Sequence, residues 1–383
     1  MNTTFMGYRR PHGQAGVRNY VAVVPTVLCS VPIARSIAEA THVNVFPHEG
    51  GCGQVGSEKE HTLRVLEGVV SHPNVGAVLT VGLNCEQIDA TRLAEAAKDK
   101  PTRHIRIHDV GGNGKAVRRG VELVGELKME ILGMKRTRIG VEELTIATQC
   151  GSSDTGSGIA SNPAVGAMSD ELIELGGAVI IGETGSLYGA AGLMARRAAT
   201  KEIGDEIIAM TDRLENYYKR MGHSLREGNP TPGNIAGGLT TLVEKSLGGV
   251  RKGGTTTIRG TLGPGERIMG KGLWVMNTSH GIGSCAAADM LASGAQILAY
   301  TTGGGNPIGS PLAPVVKITA TKKTVDRLED IIDFDASPVL LGDETVEECG
   351  NRILEEIVAV AGGKLVQAEK TGYTVFAIGN VAL

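Results

Sequence analysis

Hydrophobic residues along this chain fall into short unbroken runs, separated by longer stretches with a three-to-four-residue beat. In the first third, Tyr20–Pro25, Val43–Pro47, Ala77–Val81 and Ile105–Ile107 form apolar runs, which predicts strands covered on both sides. Helical periodicity fills the gaps at about 31–40, 58–71, 86–99 and 115–127. The second of these opens on Ser57 with Glu60 three residues later, a capping-box pattern. The beat breaks at Lys135-Arg136-Thr137-Arg138, where a domain boundary is expected. Beyond it, strands are expected at 144–148, 178–182, 273–277, 296–301 and 314–319, and helices at 163–175, 201–219, 284–292 and 345–361. Between about 222 and 255 runs a Gly/Pro/Asn-rich excursion of the length that functional loops take. Alternation of this kind predicts an α/β fold of two doubly wound, mostly parallel-sheet domains, 1–135 and 136–383. Their ligand loops should lie at the carboxyl ends of the strands.

Composition narrows the ligand. Of 383 residues, 55 are glycine and only 12 are aromatic, which favours close backbone approach to something small and anionic over stacking on bases. A formal charge of −3 argues against nucleic acid as a partner. No run reaches the roughly 20 apolar residues of a membrane span, and Met1–Gly13 carries no apolar signal core, so a cytoplasmic protein is expected. Six cysteines widely spaced in such a chain point to metal or reactivity rather than disulfides.

Three of those cysteines follow consecutive strands: Cys29 after 20–25, Cys52 after 43–47 and Cys85 after 77–81. Parallel strands deliver their ends to one rim, so three thiols there suit iron, as Fe(II) or an iron–sulfur cluster, or zinc, with His48 nearby and a coordination position left open. The competing reading is three apolar cysteines in the core. Cys349 shares a helical face with Val346, Ile353, Ile357 and Val360 and is read as core, and Cys285 as structural. Gly51-Cys52-Gly53-Gln54-Val55-Gly56 matches a dinucleotide fingerprint, but the turn is long, a cysteine sits inside it, and the expected acidic residue falls in a helix. A nucleotide-binding protein without catalysis therefore rests on those glycines alone.

In the second domain, Gln149-Cys150-Gly151-Ser152-Ser153-Asp154 leads into Asn162-Pro163, read as helix N-cap and first turn. A strand-to-helix turn rich in backbone N–H and hydroxyl groups suits a carboxylate or phosphate, although a routine turn has the same look. Glu183, Asn229, Asn234, Lys245, Thr301 and Thr302 sit on loops that can face the same cleft.

Taken together, Gly7-Tyr8-Arg9-Arg10, Gly16-Val17-Arg18-Asn19, Gly51-Cys52-Gly53, Gly82-Leu83-Asn84-Cys85-Glu86, Cys150–Asp154, Asn162-Pro163, Glu183-Thr184, Asn229–Asn234, Gly237–Thr240, Glu244–Gly248 and Thr301–Gly303 resemble the altronate/galactarate dehydratase family, which includes the large subunit of (R)-sulfolactate sulfo-lyase. The resemblance covers nearly the whole chain. It implies iron-dependent lyase chemistry on a small anionic hydroxy acid, with loss of water or, in the sulfo-lyase branch, of sulfite. The three rim cysteines resemble the dehydratase branch. Because the shared motifs begin at Gly7, the resemblance also implies a large subunit with a separate small subunit, within a homo-oligomer. On this reading Cys29, Cys52 and Cys85 hold iron, and His48 or Glu86 moves the proton. Lys245 and the 150–154 loop bind the substrate's carboxylate and hydroxyls.

Overall fold

The computed structural model describes residues 3–97, 100–278 and 283–379. Its strands are β1 (Thr4–Gly7), β2 (Tyr20–Pro25), β3 (Asn44–Val45), β4 (Val75–Gly82), β5 (Thr102–Arg106), β6 (Thr137–Gly140), β7 (Thr145–Cys150), β8 (Ala178–Ile181), β9 (Ile258–Leu262), β10 (Gly272–Met276), β11 (Ile297–Thr301), β12 (Val315–Thr319) and β13 (Phe334–Asp335). Two parallel sheets result, one ordered β3-β2-β4-β5 and one β13-β12-β11-β7-β8-β10-β9. In each, the chain leaves a central strand first to one side and then to the other. The order therefore reverses between β2 and β4 in the first sheet and between β7 and β11 in the second. Loops leaving such a pair of strands diverge and open a crevice.

Helices cover both faces of both sheets. Val31–Thr41 and Asn113–Leu132 bury Ile37, Leu123 and Leu127 on the outer face of the first sheet. Asn162–Glu174, Lys201–Arg220 and Val346–Ala361 cover the outer face of the second. Between the sheets, Gly56–Ser71 meets Gly283–Ala292, so that Leu66 and Val69 share one core with Met290 and Leu291. Residues 4–7 return to pair antiparallel with the interdomain segment through β1 and β6. Arg18, from the Gly16–Asn19 motif, bonds both carboxylate oxygens of Glu369 at 2.7 and 2.8 Å and so ties the N-terminal region to the C-terminal helix Gln367–Thr371. Among the described residues no helix is long and apolar enough to cross a membrane.

Several local expectations are corrected. The Ser57–Glu60 box does not form, because the helix starts two residues earlier than expected, at Gly56, and Val55 at its N-cap offers no side-chain acceptor. A box that the pattern did not single out, Thr345 with Glu348, caps Val346–Ala361. The helix expected over 86–99 shortens to Ala90–Glu95, capped by Asp89. Asn162 is the first residue of its helix rather than the N-cap, since the five-residue π turn Ser157–Ser161 runs straight into it. The 222–255 excursion folds into short helices, Leu225–Gly228, Pro232–Ala236 and Leu242–Gly249, followed by the turn Val250–Gly253.

Candidate functional site

At the first rim the three cysteine loops are stitched together. Leu28 N–H donates to Gly50 O at 3.1 Å and Gln87 N–H to Gly51 O at 2.9 Å. Gly51 lies so close to the β2 loop that a Cβ there would stand 2.1 Å from Thr26 O, and its φ of +97° suits glycine alone. Loop packing thus accounts for the first glycine of the fingerprint-like motif without a pyrophosphate.

Cys29, Cys52 and Cys85 are free and exposed, which removes the buried-core reading. Yet among the described residues no three His, Cys, Asp or Glu side chains are gathered so as to hold one ion. The donor chemistry suits iron; the placement of the side chains does not enclose it.

His48 and Glu86 are both engaged as braces of these loops. His48 is buried, shares its Nε2 with Pro25 O at 2.8 Å, and accepts Gly50 N–H on Nδ1 at 3.2 Å. Burial pushes its pKa below the ordinary value, so it is held neutral. Burial alone would push the Glu86 carboxyl up, but it accepts Leu83, Asn84 and Cys85 N–H and the Thr26 hydroxyl, all within 3.0 Å, and is held below the usual range. A low carboxylate with its lone pairs occupied is a poor base.

The second rim gathers different chemistry. Cys150, the last residue of β7, is buried and accepts a hydrogen bond from Lys252 Nζ at 3.1 Å. Its thiol faces Glu183 Oε2 at 3.8 Å. Lys252 is itself buried and also donates to Gly249 O at 2.9 Å. The turn carrying it lies directly on helix Asn162–Glu174 because Gly166 has no side chain, and a Cβ there would stand 2.1 Å from Arg251 O. Glu183 follows β8 at φ +70°, a left-handed conformation that is strained for a glutamate and found most often at functional sites. Burial pushes its carboxyl up, against the pull of Lys252 and Lys245. Tyr300 of β11 places its hydroxyl against Gly151, and burial, with Glu183 and Cys150 beside it, pushes it well above its usual value.

Two hollows flank this cluster. One, of about 280 Å³, is lined by Glu183, Ser186, Asn229, Thr231 and Lys245. The other, of about 430 Å³, is lined by Ser152, Asp154, Thr231, Asn234, Lys245 and Gly303. Lys245 stands between them, its Nζ donating to Asn229 Oδ1 at 2.8 Å and Asn234 Oδ1 at 3.0 Å. Asn234 in turn donates to Ser153 O at 2.9 Å, and Ser153 Oγ is buried with no hydrogen-bond partner among the described residues.

The other expected binders are occupied in building the rim. Asp154 accepts Ser157 N–H and hydroxyl at 2.7 and 2.8 Å and the Thr321 hydroxyl. Thr301 donates to Asn162 Oδ1 at 2.6 Å, and Asn162 donates to Gly248 O at 3.1 Å. Thr302 Oγ1 accepts Gly305 and Asn306 N–H. The backbone of Ser152, at φ +50°, receives Gly303 and Gly304 N–H. So Cys150, Glu183, Asn229, Asn234 and Lys245 come together, while Asp154, Asn162, Thr301 and Thr302 hold the loops that carry them.

Residues 141–382 match the D-galactarate/altronate dehydratase C-terminal family, and residues 7–131 the second domain of D-galactarate dehydratase/altronate hydrolase. The chain belongs to the galactarate/altronate dehydratase family. Within that family it is 34% identical to altronate dehydratase of Bacillus subtilis, over 98% of this chain and 78% of that protein. It is 35% identical to (2R)-sulfolactate sulfo-lyase subunit beta of Chromohalobacter salexigens, over 98% and 97%. Galactarate dehydratase (L-threo-forming) of Escherichia coli is 30% identical over 94% of this chain and 73% of its own length.

Lys252 and Tyr300 were not legible as site residues. The one trace of Lys252 is a pair of cations set among glycines, Gly248-Gly249-Val250-Arg251-Lys252-Gly253-Gly254, where a solvent-facing lysine would be the ordinary reading.

Proposed function

We propose that this member of the dehydratase family is a hydro-lyase that removes water from a small polyhydroxy acid of the altronate or galactarate type. The observation that carries the reading is the Glu183–Cys150–Lys252 cluster, opening beside Lys245 at the point where the second sheet reverses its strand order. A carboxyl pushed upward by burial exchanges protons nearer neutrality than an ordinary glutamate, as an acid–base catalyst must.

In the proposed reaction, Lys245 uses its remaining N–H to hold the substrate carboxylate and offsets the negative charge that builds there. Ionised Glu183 takes the proton from C2, and the C–H electron pair moves toward the carboxylate. Glu183 then returns that proton to the departing C3 hydroxyl. Water leaves, a C2–C3 enol remains, and it tautomerises to a 2-keto-3-deoxy acid. Lys252, behind Cys150, keeps Glu183 able to ionise despite its burial. Iron on the three thiols of the first rim is proposed from donor chemistry alone; it would supply a Lewis acid for a leaving hydroxide, and no step above depends on it.

Similarity to a protein named as a subunit supports the further proposal that this chain works with a separate small subunit; a homo-oligomer in the cytoplasm is proposed on the sequence alone. The same similarity favours a second reading, carbon–sulfur cleavage with release of sulfite. An anaerobic panel of aldonic, aldaric and sulfonated hydroxy acids, with ferrous iron, separates the two. The 2-keto-3-deoxy acid is the expected product; sulfite, or no turnover of any member with or without a small subunit, overturns the proposal.

A further inference from the structure

Away from either rim, a cavity of about 510 Å³ lies between the two domains. Four cations line it: Arg10 from the turn after β1, Arg64 from helix Gly56–Ser71, Lys100 from the turn before β5, and Arg267 from the loop between β9 and β10. Among the described residues their hydrogen-bond partners are all neutral. Arg10 donates to Pro73 O, Arg18 O and Asn19 Oδ1. Lys100 Nζ donates to Val70 O at 3.1 Å and His72 O at 2.6 Å, at the carbonyl end of the helix. Arg64 donates to Pro264 O and Arg267 to Ser71 Oγ, each at 3.2 Å. Among the described residues on the cavity wall, Glu67 is the one carboxylate, and it makes no ion pair with any of the four.

The crowding of like charge has consequences nearby. Burial, with the charges of Arg10 and Arg267 added, pushes Lys100 well below its ordinary value. His72 is pushed down to about 3 by burial, with the Lys100 charge next. Arg10 and Lys100 have an evident structural task, capping carbonyls that would otherwise go unmet. Arg64 and Arg267 are less committed, Arg64 to one carbonyl and Arg267 to one hydroxyl. Each uses one N–H on a neutral oxygen and leaves the rest of its guanidinium fork without a described protein partner. They also come from opposite domains, so a ligand touching both would bridge them.

We infer that this interdomain cavity binds a small multivalent oxyanion, a polyphosphate or polycarboxylate, held between Arg64 and Arg267 and backed by the charges of Arg10 and Lys100. The fork of an arginine matches the paired oxygens of either group, and a multivalent anion relieves the repulsion among four cations as a single carboxylate does not. The inference stands apart from the proposed reaction, whose carboxylate site is at Lys245.

Calorimetric titration of the whole chain at low ionic strength with inorganic phosphate, pyrophosphate and citrate tests it. One saturable site per chain is expected, filled more tightly by pyrophosphate or citrate than by phosphate; whichever of the two binds better identifies the natural class. Arg64→Gln and Arg267→Gln should each weaken binding about tenfold while the melting temperature without ligand stays near that of the parent. Lys245→Met should leave this binding intact. Absence of saturable binding at millimolar probe overturns the inference. So does an Arg64→Gln/Arg267→Gln variant that binds as tightly as the parent, or binding that disappears with Lys245→Met.

Discussion

Replacing Lys252 by Met tests whether the buried cluster sets the proton affinity of Glu183. The substitution keeps an apolar stem of similar length and removes the charge. Lys252 Nζ is 3.1 Å and Glu183 Oε2 is 3.8 Å from the same sulfur, so the two charged groups are no more than about 7 Å apart. At an effective dielectric near 20, a pair at that separation attracts by roughly 2.4 kcal/mol, and one pH unit corresponds to about 1.4 kcal/mol. Loss of the lysine should therefore raise the Glu183 pKa by roughly 1.5 to 2 units. The direction follows from charge: a cation favours the ionised carboxylate, and its removal favours the protonated form. If ionised Glu183 takes the C2 proton, the acidic limb of the kcat/KM profile should move to higher pH by that amount, and activity at high pH should recover most of its parental value. Initial rates from pH 5 to 9, with thermal melts to confirm folding, read this out. A folded Lys252→Met protein whose acidic limb stays within a few tenths of a unit of the parent refutes the assignment.

Two further outcomes are expected. Lys317, wholly buried on β12 with no hydrogen-bond partner for its Nζ among the described residues, is pushed down to about 8 by burial, against an ordinary value of 10.5. Below pH 8 the folded state must hold that charge out of water, where the pull of Asp333 offsets burial in part. Between pH 8 and 10.5 the unfolded chain keeps a proton the folded one has shed, so parental stability rises there by about 3 kcal/mol. Lys317→Met should thus melt higher than the parent at pH 7, by roughly 1–3 kcal/mol of stability, with an advantage that shrinks toward pH 10.5; a pH-independent difference in chemical denaturation contradicts this. For the first rim, anaerobically prepared protein loaded with ferrous iron should lose most of its metal with Cys52→Ser, and full iron retained by that variant removes the thiol site.

Much of the fold was legible because parallel strands buried on both faces read as unbroken apolar runs. β2, β4 and β11 were placed within a residue or two on that signal alone. The pattern failed where a side chain overrode it. Residues 86–89 continue a helical beat, yet the Glu86 carboxylate collects the N–H groups of residues 83–85 and holds a loop instead. Short helices in the 222–255 excursion are fixed by local caps such as Thr231 with Asn234, which leave little periodicity to detect. The site was half legible for a related reason. Glycine-rich strand ends announce Cys150 and Glu183, but Lys252 reaches them from a turn far along the chain, 102 residues beyond Cys150, and little local to it distinguishes a buried lysine from a solvated one. Conversely, His48 and Glu86 had the chemistry of catalysts, and it was their hydrogen-bond partners that showed them to be braces.

Elimination across C2 and C3 leaves an isotopic signature that tests the whole account. Altronate and galactarate should be turned over in D₂O, without oxygen and with ferrous iron, and the products followed by proton NMR. The proposed chemistry predicts a 2-keto-3-deoxy acid that has lost its C2 proton and gained one solvent deuteron at C3, formed in step with substrate loss. Turnover that retains the C2 proton, or a panel in which only a sulfonated acid reacts, contradicts it.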